Sequence, residues 1–485
     1  MSSPSSRVSG RADLAVAAAF ALAAGLLFAA TLQTRMYGDG GGLVSMFASG
    51  EGRGYHNVLY LPYLRAFDAL VPGGEPIRTA TLASALAAAL GCGATWLVAR
   101  GLGASREGAA LATALAAVTP ATWFFATTAE VPAPHFAAVA LCAAVVLRAP
   151  WRRPGLALAL VAATFPLLAL THQTAVLLGP GWVALVAYAR ARVARPFGAA
   201  FVLGVVGPLL LAALVATLLA ASWYRTGELA LFDSTVTSIL DEFTGIVAPA
   251  DFLWRGWVRP LALVLPLALA GAWTLRREPL ALTALLVSCA VPFAFFTWWG
   301  VPEHGAYFLG TMPFYAALVA RAADALRPAA RRALFAVALV VQALLGRAYV
   351  AEWDRGYDPY ERVEHVRAAL GESGVLLSTA SVAPRIDVHL PGIEEHSLID
   401  PFARAAAEAG FGPDQFVAAV LPAIDQFTAG RRIAFETNYR ELAPSRQLTY
   451  RVAEPYFDAL LAALRERRTW TEHPHEHWGL VVFEP

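Results

Sequence analysis

Two carboxylates in this chain each follow an apolar run directly. Asp39 stands in Tyr37-Gly38-Asp39-Gly40-Gly41-Gly42, just past the apolar run from Ala12 to Leu32, and Glu130 ends Ala126-Thr127-Thr128-Ala129-Glu130. A carboxylate held at the edge of a lipid phase is costly unless water or a substrate uses it. An aspartate there can act as a general base if an acceptor hydroxyl comes within hydrogen-bond distance. Asp39 could equally be an ordinary turn aspartate among glycines, and Glu130 a loop acid at a helix N-terminus. Glu130 could also serve as a second acid, a metal ligand or a group that orients the acceptor.

Other polar residues lie near the same boundary. His56 and Tyr60 open an aromatic-rich stretch, His172 ends an apolar run, and Glu303-His304 precede another. Each histidine alone reads as readily as a cap or a packed residue. Arg65, Arg225 and Arg255 are candidates for gripping a lipid phosphate, because a guanidinium binds phosphate with two parallel hydrogen bonds. Any one of them could instead be a headgroup anchor. His473-Pro474-His475-Glu476-His477 has the look of a metal motif but lacks partner cysteines.

The elements that position these residues follow from composition. The 485 residues are 58% hydrophobic and 15% charged, with mean hydropathy +0.53. Soluble domains carry about 25% charged residues, so this is a multi-span membrane chain. Every basic residue is arginine, which excludes lysine Schiff-base chemistry and a Walker-type phosphate lysine. Residues 1–348 hold 24 arginines against 15 acids, and residues 349–485 hold 13 against 21. No basic stripe suits nucleic acid. Cys92, Cys142 and Cys289 all lie in apolar runs and form no disulfide or zinc pattern.

Apolar runs of bilayer length fall at 12–32, 79–99, 107–125, 131–148, 155–172, 173–189, 198–221, 258–275, 279–299, 305–321 and 330–348, about eleven spans by length. With the N-terminus in the cytoplasm, every inside connection carries at least two arginines, among them Arg100, Arg106, Arg148, Arg190, Arg192, Arg276, Arg321 and Arg331. This is the positive-inside pattern. Asp39 and Glu130 then share the outer side with loops 33–78 and 222–257 and with residues 349–485. Elaborated loops on one face mark the working surface. The chain therefore divides into a transmembrane domain, 1–348, and an outer domain, 349–485. In the outer domain, 374–378, 432–436 and 478–483 read as strands, and 359–370 and 454–468 as amphipathic helices, giving a small α/β fold.

Several of these motifs together resemble the integral-membrane GT-C glycosyltransferases, and among them the bacterial relatives of the protein O-mannosyltransferases. Gly38-Asp39 follows the first span, His56 and Leu59-Tyr60 open a loop helix, and Pro72-Gly73-Gly74 precede a helix start at Arg78. Ala129-Glu130-Val131 with His135 is similar to the Glu-Val-Tyr-x-x-His segment of these enzymes, Leu170-Thr171-His172-Gln173 to their small-residue-then-His segment, and Tyr307-Phe308-Leu309 to Tyr-Phe-Leu-Pro. The likeness covers 33–180 well and 300–320 weakly. Where those proteins have His-Pro-Pro this chain has His56-Asn57-Val58, and Pro132 replaces the tyrosine after Glu130-Val131. The resemblance implies inverting transfer of a sugar from a polyprenyl-phosphate donor to a hydroxyl on a protein, lipid or glycan, with Asp39 as base. An arginine or a divalent metal would stabilise the phosphate. It also implies a bacterial inner membrane with the site and the C-terminal domain outside. Two other readings stay open on sequence alone: a transporter or flippase of lipid-linked glycans, and a membrane scaffold whose outer domain binds partners.

Overall fold

The computed structural model describes residues 4–33, 37, 40–50, 58–193, 198, 206–207, 211, 215, 249–299, 305–353, 361–379, 385–398, 410–439, 448–475 and 478–485. Their contacts fall into two compact units. One is helical and holds the described residues of 4–33, 58–215 and 249–353. The other holds 37–50 and 361–485.

In the helical unit, α1 (Pro4–Ala29), α4 (Pro76–Gly101), α5 (Arg106–Ala117), α6 (Pro120–Ala126), α7 (Pro132–Arg148), α8 (Pro154–Thr171) and α9 (Gly179–Ala191) form the first half. The short helices α2 (Gly40–Ala48) and α3 (Tyr60–Leu70) lie between α1 and α4 in sequence. The second half comprises α10 (Val264–Thr274), α11 (Pro279–Trp299), α12 (Met312–Asp324) and α13 (Pro328–Trp353). Six described helices are long and apolar enough to cross a membrane, and two bent pairs meet the test jointly. Proline opens many of them, as expected where the first N–H has no intrahelical partner.

Two expected spans are broken. The run at 107–125 bends by 60° between α5 and α6, where Pro120 holds Thr119 extended (φ −64°, ψ 138°). The run at 258–275 bends by 84° between Leu261 and Val264, with Ala262 at φ 46°. Buried Gln342 repairs that second break: its Oε1 accepts from Leu263 N–H at 2.9 Å and its Nε2 donates to Leu261 C=O at 3.2 Å. Freed backbone groups in an apolar bundle need such partners. The expected span 198–221 lies almost wholly outside the described residues.

Arginines gather at one end of this unit. Asp13, 6% exposed near the start of α1, faces Arg100 and Arg106 at 3.6 Å and Arg148 at 3.8 Å. Arg190 donates to Trp151 C=O, Arg192 to Gly101 C=O, and Arg321 to Gly103 C=O at 3.0 Å while also pairing with Glu278. Arg331 and Arg332 share Glu107. The connections expected inside thus meet at one end. At 26 residues α4 is about 39 Å long, enough to separate that end from the opposite one by a bilayer core of about 30 Å.

The second unit is a three-layer α/β fold. Its sheet runs β2-β1-β3-β5-β4, built from β1 (Gly374–Ser378), β2 (Ile393–Ser397), β3 (Ile433–Glu436), β4 (Trp470–His473) and β5 (Leu480–Phe483). The β2-β1-β3 pairs are parallel, and β5 is antiparallel to β3 and β4. Alternation divides the central strands between two faces. Val375, Leu377, Ile433 and Phe435 pack on α16 (Pro413–Phe427) and α17 (Leu448–Arg467), whereas Leu376, Ala434 and Val482 pack on α14 (Glu361–Leu370) and Ile386 of α15 (Ile386–His389). The three strands and two helices expected from sequence are all present. The added edge strands β2 and β4 carry Glu394, Glu395, His396, Thr471 and Glu472, the charged composition that hides edge strands from a hydrophobic-pattern reading.

Candidate active site

The end of the helical unit opposite the arginines gathers several residues singled out above. Val131 caps α7, and Pro132 and Pro134 set its first turn. Glu130, just before it, is 7% exposed, and its Oε2 accepts from Val131 N–H at 3.1 Å. A carboxylate favours this place because unpaired N–H groups make a helix start electropositive. Glu130 is therefore a buried acid at a helix start.

One turn into α7, buried His135 reaches the last residue of α8, with Nδ1 3.2 Å from Thr171 Oγ1. The Thr171 hydroxyl donates to Leu168 C=O at 2.7 Å, so it accepts from His135, which carries its proton on Nδ1. His172 follows the end of α8 with extended backbone, and its Nδ1 accepts from Thr174 N–H at 3.2 Å. Neutral His172 thereby holds its proton on Nε2. The two rings lie 5.2 Å apart. The His135 ring also packs closely on the backbone of Gly310, where an added Cβ would come within 2.8 Å of Nε2.

Helix α3 closes the cluster. Leu59 N–H donates to Leu170 C=O at 3.1 Å, tying its start to α8, and Tyr63 Oη donates to Ala83 C=O at 2.6 Å, tying it to α4. Tyr60 is 2% exposed, and its hydroxyl is buried beside that of Ser84 on α4. Burial first, and the Glu130 carboxylate second, push the Tyr60 phenol well above its usual range, so it stays protonated.

An apolar crevice of about 270 Å³ leads to this cluster. Tyr60, Val131 and Thr171 form part of its wall, while Leu90, Leu141 and Leu167, each 44–45% exposed, line it from α4, α7 and α8. It therefore opens on the outer face of the bundle, where lipid would lie. The end of α1 reaches the same neighbourhood. Gln33 N–H donates to Thr127 C=O at 2.9 Å, and its side-chain amide donates to Phe124 C=O and Thr127 Oγ1 at 3.0 and 2.9 Å.

Glu130, Tyr60 and His172 thus come together, joined by His135, Ser84 and Thr171. Ser84 carried no signal in sequence, and His135 stood out only through the motif resemblance. Arg65 sits partly exposed on α3, and Arg255 pairs with Asp251 one turn away at 3.2 Å. Asp39, His56, Arg225, Glu303 and His304 lie outside the described residues. Among the described residues no three His, Cys, Asp or Glu side chains converge as a metal site. In the α/β unit, the tilted rings of His475 and His365 lie 4.8 Å apart, and His365 Nε2 lies 3.1 Å from His473 C=O, while Glu476 and His477 lie outside the described residues.

No protein-family model matches the chain, and no curated protein matches it in sequence. Solved structures do. The chain is similar to ArnT from Cupriavidus metallidurans bound to undecaprenyl phosphate, with 15% identity, a TM-score of 0.62 and 97% of each chain covered. The apo form of that protein matches with the same identity and TM-score over 98% of each chain. The oligosaccharyltransferase of Archaeoglobus fulgidus, in complex with Zn and sulfate, matches at 13% identity and a TM-score of 0.53, over 96% of this chain and 72% of that one. The likeness extends over nearly the whole chain and shows the fold, the GT-C bundle with an appended α/β domain.

Proposed function

We propose that this chain is an integral-membrane glycosyltransferase that moves a sugar from a polyprenyl-phosphate donor to an acceptor hydroxyl on the extracytoplasmic face, in a bacterial inner membrane. One observation carries the reading: an apolar crevice open to the lipid-facing surface is walled by Tyr60, Val131 and Thr171, the last two being chain neighbours of Glu130 and His172. Such a crevice suits a polyprenyl chain, and the polar cluster suits its headgroup. A tightly packed scaffold would have neither.

In this reading Asp39 removes the proton of the acceptor hydroxyl. The oxygen attacks the anomeric carbon as the bond from that carbon to the phosphate oxygen breaks, the centre inverts, and polyprenyl phosphate leaves with the electron pair. Asp39 stands six positions after Gln33, and a chain that long reaches at most about 20 Å. Gln33 is itself bonded to Phe124 and Thr127, three residues before Glu130. Glu130 orients the acceptor, Tyr60 and His172 donate to the headgroup, and Arg65, Arg225, Arg255 and Glu303-His304 complete the binding surface. Among the described residues no three His, Cys, Asp or Glu side chains form a divalent-cation site.

The test is incubation of the purified protein with a panel of polyprenyl-phosphate sugars, reading released polyprenyl phosphate. At least one donor should turn over, and Asp39→Asn should abolish turnover while expression and melting are kept. No turnover across the panel overturns the activity, and wild-type turnover in Asp39→Asn removes Asp39 from the chemistry.

A further inference from the structure

Helix α2 begins one residue after Asp39, and it belongs to the α/β unit. Gly40 N–H donates to Tyr37 C=O at 3.0 Å, so both flanks of Gly38-Asp39 are tied together. Residues Gly40 to Met46 are all buried. The polar contact that holds α2 is Ser45, which is 0% exposed. Its Oγ donates to Gly41 C=O at 2.9 Å and accepts from Arg385 N–H at 3.0 Å. His389 Nε2 lies 3.3 Å from the same oxygen. A hydroxyl has one proton, already given to Gly41, so His389 Nε2–H is the donor in that contact.

From there a continuous chain of hydrogen bonds enters the sheet. Ile386 N–H, next to Arg385, donates to Glu395 Oε2 at 2.6 Å, and Glu395 Oε1 accepts from Arg362 at 2.6 Å. Arg362 Nε donates to Glu436 Oε1 at 2.5 Å, and Glu436 Oε2 accepts from Ser378 Oγ and Thr379 N–H, each at 3.0 Å. Every link lies in one compact unit, and a fully satisfied buried network rigidifies what it joins. We infer that the C-terminal domain is the mount that holds α2, the helix that follows Asp39 in sequence, with Ser45, His389 and Arg362 as positioning residues. This rests on the reading of Asp39 as the base.

The test uses the full-length chain in detergent with three substitutions, Ser45→Ala, His389→Leu and His389→Gln. Glutamine keeps an N–H near the Nε2 position, and leucine keeps only bulk. Two readouts are taken: amide hydrogen exchange over residues 40–48, and turnover of the donor found by the polyprenyl-phosphate panel. Losing a buried partner should speed exchange over 40–48 by about tenfold to about a hundredfold in Ser45→Ala and His389→Leu. Exchange at the central sheet amides should stay unchanged. Turnover should fall by about tenfold or more with the donor KM within about twofold, as for lost transition-state positioning. His389→Gln should recover most of both. Unchanged exchange over 40–48 overturns the mount, and faster exchange with full turnover overturns its role in positioning. Full turnover in Asp39→Asn instead removes the base reading and leaves the exchange result standing, so the two failures are distinct.

Discussion

Replacing Arg362 with methionine removes a guanidinium whose side chain is 1% exposed from between two carboxylates, Glu436 at 0% and Glu395 at 13%. Burial works against the Arg362 charge, but Glu436 and Glu395 overcome it and hold the group above its ordinary range. After the substitution Glu436 keeps Ser378 and Thr379 as donors and Glu395 keeps Ile386 N–H, yet neither retains a countercharge. Breaking a buried pair from one side costs about 3–5 kcal/mol, because an uncompensated charge remains. At about 1.4 kcal/mol per power of ten, that is roughly two to three and a half powers of ten in the opening equilibrium. Native-state hydrogen exchange of residues 375–377 and 433–435 in the full-length chain reads this directly. The cycle is completed with Arg362→Met/Glu436→Gln, which removes one stranded charge. It should be more stable than the sum of the single effects by about 1 kcal/mol or more. Sheet amides accelerated less than about tenfold, or strict additivity in the cycle, would refute the view that Arg362 joins α14 to the sheet by charge pairing.

Three further outcomes follow from the geometry. Ala138→Trp, set in the crevice wall, should raise the donor KM by about tenfold or more while the protein still melts cooperatively; an unchanged KM would separate the crevice from donor binding. Gln342→Leu strands Leu263 N–H and Leu261 C=O at the 84° bend and should cost about 1–3 kcal/mol, seen as a lower melting temperature in detergent. Burial pulls the His389 pKa below its ordinary value, with Arg367 reinforcing the shift and Asp387 and Glu395 opposing it. The unfolded state then binds more protons in the window below about pH 6.5, so stability is full above it and falls on acidification. Exchange over 40–48, corrected for its intrinsic pH dependence, should therefore quicken from pH 7.5 to about 5.5, and His389→Gln should flatten the profile.

Much of the architecture was legible along the chain because its signals are local. Twenty-residue apolar runs define the bundle, and arginine clusters identify the connections that meet at Asp13, Glu107 and Asp324. The central strands β1, β3 and β5 are apolar runs buried on both faces, whereas β2 and β4 escaped notice because charged and polar residues break their apolar pattern at the sheet edges. The bends at Pro120 and Ala262 interrupt runs whose hydropathy is continuous, so composition alone could not show them.

The sequence by itself determined which residues belong in lipid, which helix ends share a side, and that Glu130 stands beside a boundary. Only the tertiary structure decided that Glu130 is buried against Tyr60, that His135 and His172 face one another across α7 and α8, and that α2 belongs to the C-terminal domain. Burial and pairing are properties of residues far apart in the chain. Arg362 and Glu436 are 74 positions apart, and Ser45 and His389 are 344 apart, distances over which no periodicity carries information.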